Sequence, residues 1–319
     1  MYPFSLIRGT LARWRYERGV RAALGVGREA SAPEAGSPVV DVICGKRYPR
    51  TERKPCPLCG QYREPRRLQA RFGMIAMVSE CDPCRIAYQT PMPTPEATLA
   101  YMNALWGSSL AYMGNESSLG RARVAFTYLQ HEFPKPGYLL DFGAGTGAFV
   151  RVALESGWKA HGVERSSTAI ERAKAENHVV LTPEVGDDGY DVITMWDVIE
   201  HLRDPAETLV RLKKHLRPGG RIILETGNWE CWLRLAQGDR WDLYQMDHHY
   251  YFSPQTLNAY LEGCGYGNFR LVPRALDLPS RLPGANLRDW FYQRKAFRLA
   301  RIAWPEHGGH NLIVASVSA

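Results

Sequence analysis

The sequence predicts an α/β fold in which helices cover a parallel β-sheet. From Pro134 onward, short apolar runs of strand character alternate with segments of helical periodicity, a pattern typical of a parallel sheet with helical crossovers. The runs read YLLDF, KAHGVE, YDVITMW, RIILET and finally HNLIVASVS. With 319 residues, 45% of them hydrophobic, the chain is long enough for one large domain with smaller additions.

Composition narrows the expected cellular setting. No apolar run approaches the roughly 18 residues that a membrane-spanning helix needs. Arginines interrupt the N-terminal stretch MYPFSLIRGTLARWRYERGV too early for the apolar core of a signal peptide. Seven cysteines are too few for a disulfide scaffold, and four of them form two C-x-x-C pairs. We therefore expect a cytoplasmic protein.

Four parts are expected along the chain. They are a basic helix with a Gly/Ala/Pro/Ser linker (1–40), a cysteine-bearing module (41–95), a helical connector or lid (96–133) and the α/β domain (134–319). Residues 1–72 carry 15 Lys and Arg against 6 Asp and Glu, a net charge of +9, whereas the whole chain carries +7. Such asymmetry indicates that this part binds a nucleic acid or an anionic surface. The alternative is that it is a solvated arm.

The paired cysteines predict a metal site. Cys56 and Cys59 form one pair, Cys81 and Cys84 form the other, and 21 residues separate the pairs. Each pair can present two thiolates from one tight turn, and two such turns complete the tetrahedral four-sulfur geometry of structural Zn²⁺. We expect a zinc-ribbon-like module in which the metal supports folding. Two unrelated pairs of buried or redox-active thiols are the alternative.

The stretch YLLDFGAGTGAFV predicts a ligand loop. It lacks the Gly-Lys-Ser/Thr ending of a triphosphate loop, and Gly143, Gly145 and Gly147 give G-x-G-x-G rather than the dinucleotide pattern G-x-G-x-x-G. Asp141 ends the apolar run two residues before the first glycine. Its carboxylate would repel a pyrophosphate but attract a ligand that carries an ammonium and a sulfonium group. These charges indicate S-adenosylmethionine.

A second acid supports an adenosine-containing ligand. Glu164 ends the next apolar run, 23 residues after Asp141. In nucleotide-binding α/β sheets, an acid about 20 residues beyond the glycine loop accepts hydrogen bonds from ribose hydroxyls. Glu164 therefore fits either a nicotinamide dinucleotide or S-adenosylmethionine, and Asp141 favours the latter.

The motifs YLLDFGAGTGAF, GVERS, YDVITMWDVIEHLRDP, LRPGGRIILET and HHYYFSPQTLNAYLEGCGY, in this order, resemble those of class I S-adenosylmethionine-dependent methyltransferases. The ubiquinone-biosynthesis-like and natural-product sugar methyltransferase subgroup is the most similar. The resemblance covers about residues 136–319 and implies a Rossmann-like seven-stranded sheet. Between Val179 and Tyr190 the sequence departs from the family, and Asp187 is a candidate for the adenine contact. The cofactor residues that the resemblance implies are Asp141, Gly143, Gly145, Gly147, Glu164, Trp196, Asp197 and Val198.

Two histidine-bearing segments are candidates for catalysis. Glu200 and His201 follow a strand, where the resemblance implies a role mainly in ordering the turn. The segment DHHYYF lies where relatives place a substrate lid and an acid–histidine pair. We expect His248 to accept the acceptor's hydroxyl proton with Asp247 orienting it, and His249 is the neighbouring alternative. A structural hydrogen bond from His248 to the loop is the competing interpretation.

The expected function is O-methylation of a hydroxyl on a sugar, another small molecule or a glycan in a biosynthetic pathway. An N-terminal cysteine module also resembles that of bacterial sugar C-methyltransferases, but those carry a further large C-terminal domain. Zinc together with a basic N-terminus resembles certain RNA methyltransferases, although no Asn-Pro-Pro-Tyr-type motif occurs. A non-catalytic binding protein is a further alternative, against which the intact glycine loop argues.

Overall fold

A computed structural model describes residues 53–69, 75–107, 115–186, 189–231, 234, 241, 243–245, 247–272 and 312–319. The predicted N-terminal helix and linker lie outside these residues, as does Asp187. None of the helices in the described ranges has the length and apolar character to cross a lipid bilayer.

The larger of two sheets forms the core of the α/β domain, and all five apolar runs of the sequence are strands in it. The strands are β4 (Tyr138–Phe142), β5 (Lys159–Val163), β6 (Tyr190–Trp196), β7 (Leu216–Gly227), β9 (Gly267–Leu271) and β10 (Leu312–Ser318). Their order is β5-β4-β6-β7-β10-β9, with parallel pairing from β5 to β7 and antiparallel pairing for the last two strands. The sheet is therefore mixed, not wholly parallel as expected.

The seventh strand implied by the family resemblance is reduced to one contact in the described part of the chain. Thr182 forms an isolated parallel bridge with Val163, on the outer edge of β5. Backbone hydrogen bonds from Glu164 N to Thr182 O (3.0 Å) and from Thr182 N to Gly162 O (3.1 Å) hold that bridge. The bridge residue occupies the position at the sheet edge that a further strand would take.

Helices bury both faces of this sheet, which explains why its strands appear as continuous apolar runs. Leu119, Phe126 and Leu129 pack with Leu139 on one face, while Leu209 and Leu257 lie in the core on the other. The helices are α1 (Pro95–Gly107), α2 (Asn115–Glu132), α3 (Ala148–Glu155), α4 (Ser167–Arg172), α5 (Pro205–Lys213) and α6 (Pro254–Gly263).

The smaller sheet joins the cysteine module to the α/β domain. Its order is β1-β2-β3-β8, and it consists of β1 (Arg66–Gln69), β2 (Ile75–Cys81), β3 (Ile86–Gln89) and β8 (Tyr250–Tyr251). The first three strands belong to the module, but β8 comes from the α/β domain. Ala87 pairs with Tyr251, and Gln89 N donates to His249 O at 2.8 Å. The two predicted parts therefore share one sheet.

The start of α6 fixes the other end of the β8 segment. Ser253 caps this helix: its hydroxyl accepts from Thr256 N (3.2 Å), and Thr256 Oγ1 accepts from Ser253 N (2.7 Å). Pro254 occupies the first turn, where its fixed φ suits a helix and its missing N–H costs nothing. The segment 247–252 is thus held between a capped helix and a shared sheet.

We expect Gln89→Met to destabilise the protein because His249 would lose its side-chain partner. Gln89 Oε1 lies 2.9 Å from His249 Nδ1, and both residues are at most 1% exposed. Methionine fills a similar volume without a comparable acceptor, so a buried N–H is left unpaired at a cost of about 1–3 kcal/mol. Urea denaturation measures the change in unfolding free energy. Gln130→Met, at an exposed position on α2, is the control, and equal stability of the two variants would contradict the prediction.

Candidate functional site

The glycine loop leaves β4 at the carboxyl edge of the large sheet. Gly143, Gly145 and Gly147 have φ values of +79°, +54° and +74°, which a residue with a Cβ adopts only with strain. A Cβ at Gly143 would lie 2.6 Å from Val198 Cγ2. The loop therefore lies directly against the residues that follow β6, and the structure brings two predicted cofactor segments together.

Glu164 closes this loop from the end of β5. Its Oε2 accepts from Gly145 N at 2.9 Å, while its Oε1 accepts from Arg165 N (2.7 Å) and Ser166 N (2.8 Å). The side chain is only 5% exposed. A carboxylate offers about four acceptor positions, so one remains after these three hydrogen bonds.

Asp141 lies beneath the loop and is almost completely buried. Its Oδ1 accepts from Thr194 Oγ1 at 2.8 Å. Burial raises the pKa of Asp141 to about 7, the negative charge of Glu164 adds to the rise, and the Thr194 hydrogen bond opposes it. A buried acid poised in this way becomes ionised readily when a cationic ligand approaches.

The three predicted residues after β6 have different surroundings. Trp196 packs against Phe149, with ring centroids 5.0 Å apart, on the face of the sheet that α3 covers. Asp197 has a φ of 54° and forms an ion pair with Arg121 of α2. Together with the Val198 contact, this places Asp197 and Val198 by the glycine loop, whereas Trp196 contributes to the core.

A cluster of acids and histidines lies next to Val198. Glu200 and His201 stand in a short helical turn, where His201 N donates to Val198 O at 2.9 Å. His249 N donates to Glu200 O at 2.7 Å, which lays residues 247–249 alongside this turn. The rings of His201 and His248 then meet edge to face, with centroids 4.6 Å apart.

Asp247 pairs with a different histidine from the one expected. His201 Nδ1 donates to Asp247 O at 2.9 Å and lies 3.2 Å from Asp247 Oδ2. The expectation that Asp247 directly orients His248 is thus corrected, because the Glu200–His249 backbone bond brings Asp247 beside His201. The ring of His249 contacts Gln89 of the cysteine module. Of the two histidines predicted for catalysis, only His248 therefore belongs to the cluster.

The three histidines His201, His248 and His249 differ in their pKa values because their charged neighbours differ. Burial alone would lower the pKa of His201, but Asp247 and then Glu200 raise it to about 10. Burial lowers the pKa of His248 to about 3, helped by the charge of His201, and the same causes lower the pKa of His249 to about 3. At neutral pH, His201 carries a second proton and His248 has an unprotonated nitrogen that can receive a proton or a cation.

The four predicted cysteines converge in the module. All four Sγ atoms lie within 4.8 Å of one another, and Cys59 Sγ is 3.7 Å from Cys81 Sγ. Gly60 has a φ of +71° and its N–H donates to Cys56 O at 2.9 Å, which forms the first tight turn. Bonds of about 2.3 Å to a tetrahedral Zn²⁺ imply S–S distances of about 3.8 Å. The arrangement therefore has the dimensions of a four-sulfur metal site.

Sequence reasoning missed the residues that connect these sites across long stretches of chain. Arg121 pairs with Asp197, and Arg85, directly after the second cysteine pair, binds Glu230 and Gln255 of the α/β domain. A Cβ at Gly145 would lie 3.1 Å from the Trp106 ring of α1. No spacing pattern signals such contacts, because they depend on how separate elements pack.

Comparison with known proteins agrees with this geometry. Residues 118–270 match the family described as "Methyltransferase domain". The ubiquinone biosynthesis O-methyltransferase of Serratia proteamaculans is 26% identical over 149 residues, 39% of this chain and 60% of that protein. The tRNA U34 carboxymethyltransferase of Pseudoalteromonas atlantica is 27% identical over 158 residues, 43% and 47% of the two chains. The chain spans about half the length of the curated relatives it matches.

Two solved structures are also similar to part of this chain. A SAM-dependent methyltransferase from Archaeoglobus fulgidus has a TM-score of 0.45 at 19% identity, covering 65% of this chain and 95% of the other. The 1,6-didemethyltoxoflavin-N1-methyltransferase of Burkholderia thailandensis has a TM-score of 0.46 at 16% identity, covering 80% and 98%. The family match spans the glycine loop, Glu164 and the Glu200–His201 turn, so residues 118–270 are similar to a methyltransferase domain across the candidate site.

Proposed function

We propose that the protein is an S-adenosylmethionine-dependent methyltransferase that acts on a hydroxyl group of a small-molecule or glycan acceptor. The observation that carries this proposal is the glycine loop, closed by Glu164 through Gly145 N and packed against Val198 beside the acid–histidine cluster. A cofactor loop and a polar acceptor site are thereby neighbours at one edge of the sheet, where open α/β sheets bind ligands.

The loop residues fit this cofactor. The free acceptor position of Glu164 suits a ribose hydroxyl, and the buried Asp141 offers a negative charge near the expected position of the ammonium and sulfonium groups. When bound, S-adenosylmethionine supplies an activated methyl group: the carbon–sulfur bond breaks with its electron pair on sulfur as an acceptor oxygen bonds the carbon. The protein mainly has to align the two partners and exclude water.

The hydroxyl proton of the acceptor has to be removed when the methyl group is transferred. In this proposal the hydroxyl lies beside His248, whose unprotonated nitrogen takes the proton, as the sequence predicts. Asp247 acts indirectly, since its carboxylate holds His201 against the His248 ring. The low pKa of His248 makes it a weak base, so an additional source of acidity at the acceptor would assist it.

An RNA acceptor is the second candidate. It is favoured by the +9 charge of residues 1–72 and by the name of the tRNA U34 carboxymethyltransferase relative. The ubiquinone biosynthesis O-methyltransferase relatives favour a small hydroxyl acceptor instead. RNA affinity that falls steeply with added salt would indicate phosphate contacts and support the RNA alternative.

We propose further that Cys56, Cys59, Cys81 and Cys84 hold one structural Zn²⁺. The converging sulfur atoms support this set, and four protein ligands leave no open position for chemistry. The metal would brace the sheet that carries β8, and so its effect on the acceptor site would be indirect.

Glu164→Gln should weaken binding of S-adenosylhomocysteine by about 1–3 kcal/mol, roughly 5-fold to 150-fold, because charged hydrogen bonds to the ribose are lost. Glutamine keeps the side-chain shape and one acceptor for Gly145 N. Isothermal titration calorimetry measures the affinity, and Glu171→Gln, at an exposed position of α4, is the control. Absence of binding by the unmodified protein would sink the proposed function itself.

Affinity for S-adenosylmethionine should rise between about pH 6 and pH 8. Asp141 has a pKa of about 7 in the ligand-free fold, and a cationic ligand favours its ionised form, so binding releases a proton. Without ligand, the folded state retains a proton that the unfolded chain loses, and stability falls as pH rises from about 4 to 7. Asp141→Asn, which can still accept from Thr194, should flatten both profiles. Unchanged pH dependence in that variant would assign the effect to another group.

One zinc per chain should be found in protein purified without chelator, and Cys59→Ser with Cys81→Ser should remove it. The double variant should also unfold at a lower temperature, because metal-binding energy contributes to folding. Elemental analysis and thermal denaturation provide the measurements. Cys264→Ser alters a thiol outside the cluster and serves as the control. Zinc retained by the double variant would show that the ligand set is different.

A further inference from the structure

A second group of potential metal ligands lies in the acid–histidine cluster, apart from the cysteines. Glu200, His201 and His248 each offer one ligand atom, and these atoms all lie within 4.8 Å of one another. Glu200 is 2% exposed and His248 is 5% exposed. The group is therefore an interior arrangement and not a chance gathering of surface acids.

The two imidazole rings of the cluster contact each other, and His201 has a further partner. His201 uses Nδ1 to contact Asp247, so a metal ion would bind at Nε2 and displace the second proton that His201 carries in the metal-free site. The His248 ring meets the His201 ring edge to face, with centroids 4.6 Å apart. Metal-binding histidines characteristically donate their second N–H to a carboxylate or a backbone carbonyl, which fixes the ring. His201 has such a partner in Asp247.

Unpaired oxygen atoms lie in the same place. Glu200 Oε2 and Asp247 Oδ1 are buried and have no hydrogen-bond partner among the described residues. A buried carboxylate oxygen without a partner is costly. A cation bound between Glu200, His201 and His248 would give Glu200 Oε2 a partner. Its positive charge would also offset the negative charge of Asp247, which contacts the ligand His201.

We propose that Glu200, His201 and His248 bind one divalent cation of the first transition series. Two imidazole nitrogens and one carboxylate suit such a metal better than Mg²⁺ or Ca²⁺, which prefer oxygen ligands alone. Three protein ligands leave positions open for water or an acceptor. The site is distinct from the four-cysteine cluster, whose ligand set is complete.

The cation would lie where it can activate the acceptor hydroxyl. This role rests on the proposed methyl transfer. Val198 joins the cluster to the glycine loop through its contact with Gly143. A metal ion lowers the pKa of an oxygen bound to it, so a coordinated hydroxyl would lose its proton to solvent before it bonds to the methyl carbon. With the cation bound, this step replaces the proton transfer to His248 proposed for the metal-free site. The nitrogen of His248 would then hold the cation instead of the proton. An acceptor with two neighbouring oxygen atoms could occupy two open positions.

Titration with Mn²⁺, followed by electron paramagnetic resonance, tests the site in the full chain with zinc at the cysteines. We expect one Mn²⁺ bound per chain, with spin-echo modulation from two imidazole nitrogens. Glu200→Gln and His248→Asn should each weaken Mn²⁺ binding at least tenfold. Glu207→Gln and His215→Gln, which lie outside the cluster, should leave it unchanged.

The outcomes separate this proposal from the proposed function. No Mn²⁺ binding, or bound Mn²⁺ without imidazole modulation, overturns the metal site even where S-adenosylhomocysteine still binds. Equal Mn²⁺ affinity in both cluster variants overturns it as well. If either variant fails to fold, the imidazole signal of the unmodified protein decides. Mn²⁺ binding as expected, together with no S-adenosylhomocysteine binding, would retain the metal site and reject the methyl-transfer proposal.

Discussion

The backbone pairing between β3 and β8 is the interaction on which the proposed acceptor side of the site depends. It is extended by the hydrogen bond from Gln89 N to His249 O, and it fixes one edge of the segment 247–252. Two backbone hydrogen bonds fix the opposite edge: His249 N donates to Glu200 O, and Trp229 N donates to Phe252 O. Bound on both sides, the segment has little freedom, and His248 is held beside His201. Preorganisation of this kind costs nothing at the moment of reaction.

Negative charge dominates the carboxyl edge of the large sheet. Asp141, Glu164, Asp197, Glu200 and Asp247 all end there or close by. Arg121 balances one of these acids and His201 lies between two others, whereas Asp141 is kept protonated up to about pH 7 by burial. An edge with this surplus favours cationic ligands, which gives a common physical reason for the proposed sulfonium cofactor and the proposed divalent metal ion.

The sequence was informative where function depends on neighbouring residues. The glycine loop, the acid at the end of β5 and the cysteine pairs are encoded within short stretches, and the corresponding strands and sulfur cluster occur as expected. The antiparallel pairing of β10 and the existence of β9 were not recognisable, since apolar runs do not specify direction or partner. The pairing of Asp247 with His201 was also missed. These residues are 46 positions apart, and their contact depends on the backbone bond that lays two segments side by side.

The shared sheet also has a consequence for the order in which the chain assembles. Gln89 and His249 are separated by 160 positions. The edge of β3 that pairs with β8 therefore stays unpaired until most of the chain has been synthesised. Closing so long a loop slows folding, and an unpaired strand edge invites pairing with other chains in the meantime. Nucleation within the cysteine turns, which need only local contacts, would hold the early strands in register until β8 arrives. The module would then serve as a template on which the last part of the proposed acceptor site is built.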